Sequence, residues 1–137
     1  METIINVFFP TDWALLILRF GVGLIFIYHG VLKLVTWRPA TKRDFPSEQI
    51  GTMRLLSIAE PLGGGALILG FLTQLAAVGL AAIMFGAIYY KLQRWHVPFA
   101  AMNKTGWEFD FLILIASLSL VFAGGGAISI DNLILGF

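Results

Sequence analysis

Four apolar runs separated by polar stretches order the chain, at about residues 13–35, 53–72, 75–92 and 107–123. A helix of roughly 20 residues crosses the hydrocarbon core of a bilayer at 1.5 Å per residue, so the pattern predicts one all-α domain over residues 1–137, an integral membrane four-helix bundle with antiparallel up-down topology. Only Thr73-Gln74 separate the second and third runs, which leaves room for a tight turn and makes those two helices antiparallel neighbours. Thr11-Asp12 are placed to cap the first helix, and Gly124-Gly125-Gly126 to end the fourth. Residues 3–9 stop at Pro10, too few to span, and are expected along the interface. The apolar tail 127–137 is expected to return to the membrane surface.

Composition sharpens this picture. Of the 137 residues 58% are hydrophobic and 12% charged, and the mean hydropathy is +0.87, outside the range of ordinary soluble domains. Contact with the lipid bilayer is expected and a nucleic-acid partner is not. Trp13, Trp37, Trp95 and Trp107 all fall at the ends of the runs, where indole prefers to sit. Lys33, Arg38, Lys42, Arg43, Arg54, Lys91, Arg94 and Lys104 gather toward the two longer connections, 36–52 and 93–106. By the positive-inside rule those connections are cytoplasmic and both termini outside. Glu2 and Asp12 precede the first run with no Lys or Arg, unlike a cleavable signal peptide, so that helix is expected to be retained.

Chemistry concentrates at Glu60, followed by Pro61 and Gly63-Gly64-Gly65 inside the second run. A carboxylate in hydrocarbon costs a few kcal/mol at least and faces a partner, a water-filled cavity or a ligand. Pro61 also withholds the N–H that the carbonyl of Ser57 would receive. On the first helix Arg19, Gly23, Gly30 and Lys33 share a stripe with His29 on its flank. His29 and Glu60 both lie roughly 10 Å below the same interface. Glu108 enters from that side, while Asp110 points about 200° away from it. The expected cluster is therefore His29, Lys33, Glu60 and Glu108, rimmed by Tyr28, Tyr89, Tyr90, Trp95 and Trp107.

Two readings of the cluster stand side by side. In one, Glu60 pairs with Lys33 or His29 only to fix helix register. In the other, the cluster holds the polar head of a lipid-soluble ligand such as a quinone, with histidine and carboxylate exchanging protons with it. Arg19 lies toward the opposite end and is expected as a structural residue, snorkelling to the outer surface or pairing with Asp12 or Asp131. Arg54 and Arg94 are expected in solvent or among lipid headgroups. The chain has no cysteine, so sulfur chemistry or an iron–sulfur cluster would belong to a partner. His96 follows the third run and His29 lies within the first, which argues against bis-histidine haem; no metal-ligand spacing or covalently held cofactor is expected.

The stretches 19–34 (RFGVGLIFIYHGVLKL), 60–73 (EPLGGGALILGFLT) and 106–110 (GWEFD), with the closing 128–131 (ISID), resemble the DoxX family of small four-helix membrane proteins. The resemblance extends over about residues 13–132 and carries over Arg19, His29, Lys33, Glu60 and Glu108. It implies a bacterial or archaeal inner-membrane protein, a subunit or accessory of a membrane redox system, with quinone or quinol as its small ligand and a soluble or membrane oxidoreductase as partner. Such a protein is not expected to be a catalyst on its own. The alternatives are a non-catalytic anchor whose basic connections, Lys42-Arg43 among them, dock a soluble enzyme, and a proton-coupled small-solute carrier built on the broken second helix. A homo-oligomer fits any of the three.

Overall fold

The structure is a computed structural model that describes residues 11–39 and 46–136. The interfacial segment expected at 3–9 and the basic pair Lys42-Arg43 lie outside the described residues. Within them the chain is helical: α1 Thr11–Lys33, a 3-10 turn Leu34–Trp37, α2 Ser47–Leu69, α3 Thr73–Gln93, α4 Glu108–Ala123 and the short α5 Ile130–Leu135. Two stretches, Thr11–Trp37 and Thr73–Gln93, are long and apolar enough to cross a membrane. Arg54, Glu60, Pro61 and the glycines make α2 less apolar, and α4 has 16 residues, about 24 Å of helix.

Each long helix buries one stripe at alternating three- and four-residue steps. On α1 it is Arg19, Val22, Gly23, Phe26 and Gly30; on α2, Ser57, Glu60, Gly64 and Leu67; on α4, Asp110, Ile113, Ser117 and Leu120. Val22, Phe26, Leu67, Ala77, Leu80, Ile113 and Leu120 join the four helices in one core. The interior nonetheless buries as many polar side chains as apolar ones, while Ile17 (69% exposed), Leu62 (69%), Phe85 (68%) and Phe122 (86%) stand on the outside. Water would reject that surface; lipid accepts it.

The closest seam joins α1 to α2. The backbones of Gly23 and Gly64 meet there, each filling the place where the other's Cβ would stand, and Gly30 lies against the ring of Pro61. Partners fall in number on α2 as they rise on α1, so the two helices run antiparallel. This seam uses Gly23 and Gly30 of α1 with Gly64 and Pro61 of α2. Lys91 with Asp110, and Gln74 with the Val121 carbonyl, give α3 and α4 the same antiparallel sense.

Both helix ends at the α2–α3 turn come earlier than the hydropathy pattern suggests. Gly70 takes a left-handed φ of 66°, and the N–H of Phe71 reaches back to the Ala66 carbonyl at 2.9 Å, closing α2 at Leu69. The turn is therefore residues 70–72, and Thr73, expected in the turn, opens α3. At the far end of α4 the expected stop holds: Gly124 adopts φ 72°, ψ −161°, a conformation open to glycine.

Candidate functional site

Near the C-terminal end of α1 the absence of a side chain at Gly30 lets Pro61 and the Glu60 Cβ approach. That approach brings Lys33, one turn on, to the Glu60 carboxylate at 2.5 Å. Glu60 is 2% exposed and Lys33 21%, so the pair is buried on its acidic side and open on its basic side. The ammonium also donates to the His29 carbonyl at 3.5 Å. Of the two basic partners weighed for Glu60, Lys33 is the one in contact.

A second ion pair completes this end of the molecule, between Lys91 of α3 and Asp110 of α4 at 2.5 Å. Lys91 further donates to the Gly106 carbonyl at 3.3 Å. From sequence, Lys91 counts only among the basic residues that orient the chain, and Glu108 is the choice over Asp110 for the site. The structure reverses that choice. Asp110 belongs to the stripe with Ile113, Ser117 and Leu120 that packs inward, and a helix that buries this stripe turns Glu108 away. The hydroxyls of the run do not mark the inward face by themselves, since Ser117 is buried while Ser119 is exposed and donates to the Ile115 carbonyl at 2.9 Å. Glu108 sits instead beside Gly106, its N–H bonded to the Phe99 carbonyl at 3.0 Å and its buried Oε2 without a hydrogen-bond partner.

Between the two pairs lies a cavity of about 370 Å³. Its walls are mostly apolar, with Ile25, Phe26, Leu56, Ile83, Met84, Phe109 and Ile113, and its charged groups are Lys33, Glu60, Lys91 and Asp110. His29 lines it too, exposed and 6.0 Å from the Phe109 ring, with Nδ1 2.9 Å from the Ile25 carbonyl. Thus three of the four expected site residues, His29, Lys33 and Glu60, border one space, and Glu108 does not. Of the expected aromatic rim, Tyr90 and Trp95 line the cavity and pack edge to face at 5.9 Å. Tyr28 and Tyr89 are exposed at 63% and 59%. Arg54 is not left in solvent: it covers the Trp37 ring at 5.1 Å and donates to the Thr36 carbonyl at 3.2 Å.

Charges at the opposite end serve the backbone. Arg19 is fully buried, so it does not snorkel. It donates to the carbonyls of Leu67, at 3.4 Å, and Ile128, uniting α1, α2 and the tail. Asp131 accepts from the N–H groups of Leu72 at 2.6 Å and Thr73 at 2.8 Å, capping α3, while its own N–H donates to the Gly70 carbonyl at 2.8 Å. Burial pushes the Asp131 carboxyl up, but hydrogen bonds from Thr73 and Leu72 and the attraction of Arg19 outweigh it and hold the group below its ordinary value. Asp12, the other partner considered for Arg19, accepts from the Ala127 N–H at 2.7 Å. The tail is therefore latched to the helix ends.

An all-helical chain with apolar side chains outward and paired charges inward is a small membrane protein in contact with the lipid bilayer. The family model of DoxX matches residues 14–93, more than half of the chain, and the protein belongs to the DoxX family. The matched stretch carries Arg19, His29, Lys33, Glu60 and Lys91, whereas Asp110 and Asp131 lie beyond it. No curated protein and no solved structure matches the chain.

Proposed function

We propose that α1–α4 form a four-helix bundle crossing the bacterial or archaeal inner membrane, with both termini outside, and that the cavity between Lys33–Glu60 and Lys91–Asp110 holds the head of a quinone or quinol. In this reading the protein is a subunit or accessory of a membrane redox system and works with an oxidoreductase partner. One observation carries the proposal: two ion pairs flank the same largely apolar cavity. A space of this size accommodates a six-membered ring, since ligand sites start near 300 Å³. Apolar walls suit the ring, and each ammonium, with two of its three hydrogens engaged, has one left for an oxygen.

The arrangement is costly unless it is used, because an apolar pair of the same volume would tie the helices at least as well. The test has two parts. Protein purified from its own membrane should carry a lipid-soluble quinone in organic extracts, and Glu60→Gln should lose it while still folding. A Glu60→Gln protein that keeps its quinone refutes the site. Loss of folding alone returns the pair to a structural role, and loss of solute flux in vesicles favours a carrier.

A further inference from the structure

Within the proposed quinone reading, the geometry of His29 points to a preference between the two redox forms. Its Nδ1 lies 2.9 Å from the carbonyl oxygen of Ile25, one turn earlier on α1. A carbonyl only accepts, so Nδ1 must carry the hydrogen. In a neutral imidazole the other nitrogen, Nε2, is then an acceptor with a lone pair. Helix geometry fixes the tautomer, and the tautomer fixes what the ring can recognise. Among the described residues no side chain or backbone group donates to Nε2, although His29 lines the cavity.

We propose that neutral His29 is a specificity-determining residue that accepts a hydrogen bond from a ligand hydroxyl, so that the cavity takes the hydroquinone in preference to the quinone. A quinone has two carbonyl oxygens and no donor; it can be held by the ammonium groups of Lys33 and Lys91 but offers nothing to Nε2. The hydroquinone supplies O–H groups and keeps oxygens for the ammoniums. The other titratable groups facing this space, Glu60, Asp110 and Tyr90, come from α2, α4 and α3. Each carboxylate holds its lysine through one oxygen, Glu60 through Oε2 and Asp110 through Oδ2, at 2.5 Å in each pair, and Gln49 and Thr52 line the space as well; His29 Nε2 adds an uncharged ring acceptor beside them.

The experiment uses the full chain in lipid nanodiscs at pH 8 and reads quenching of tryptophan fluorescence, to which Trp95 in the cavity wall contributes. Three probes share one alkyl tail: a benzoquinone, its hydroquinone, and the hydroquinone dimethyl ether, which has the same oxygens without O–H. The hydroquinone should bind about tenfold more tightly than the other two, the size of one good hydrogen bond. In His29→Phe, which keeps an aromatic ring beside Phe109, the three affinities should converge. His29→Gln, which retains an acceptor, should restore part of the preference. Equal binding of all three probes by the parent protein overturns the inference and leaves the quinone site standing. Binding of none of them overturns the site itself.

Discussion

The two ends of the molecule spend their charges differently. At the Arg19 end, polar groups meet the backbone: buried Arg19 the carbonyls of Leu67 and Ile128, half-buried Asp131 the first N–H groups of α3, and half-buried Asp12 the N–H of Ala127. The hollow there, between the start of α3 and Gly124–Gly126, has Asp131 as its charged group, already spent as a cap. At the Glu60 end, charges pair with each other across helices and border a space. A guanidinium that satisfies carbonyls replaces the water those carbonyls would need, and so locks a fold. Paired side chains around a cavity leave hydrogen-bonding capacity for something else. One end is a fastening; the other encloses a space.

Breaking the fastening should cost most. Arg19→Met strands two carbonyls and removes the charge that attracts Asp131, and should lower stability by about 2–5 kcal/mol, read as a fall in thermal unfolding temperature in detergent. A variant as stable as the parent would show that this end is not locked. The glycine seam between the two ends should come next: Gly23→Leu pushes into Gly64 and Ile68, and should cost about 1–3 kcal/mol in the same assay. Glu60→Gln should cost less than Arg19→Met, below about 2 kcal/mol, because Lys33 at 21% exposure can be partly solvated once unpaired. Its main effect should be on ligand retention. A larger loss of stability from Glu60 than from Arg19 would invert the comparison.

The smallest effect is a pH dependence. Asp131 is held below its reference value of 3.8, so its contribution is complete above that value and is lost as pH falls through the lower folded-state value. Unfolding temperatures measured from pH 5 to pH 3 should decline, and Asp131→Asn should flatten that decline. An unchanged acid limb in Asp131→Asn would assign the decline to other carboxylates.

The Glu60 end was the more legible in the sequence. A carboxylate in an apolar run demands a cation at the same depth, and helical periodicity alone puts Lys33 and His29 near that face of α1. The helical class, the glycine stop after α4 and the tryptophans at the helix ends follow from local physics in the same way, since each depends on a residue and its chain neighbours. What α4 shows to the cavity was not local. Sequence established that Glu108 and Asp110 cannot both face inward; the rotation that chose Asp110 comes from packing the stripe with Ile113, Ser117 and Leu120 toward α3 and α1. The fate of Arg19 was likewise decided by chain 109 residues away, where the Ile128 carbonyl arrives to receive it. Periodicity tells which residues share a face of one helix, but which neighbour that face meets is settled only when all the helices pack at once.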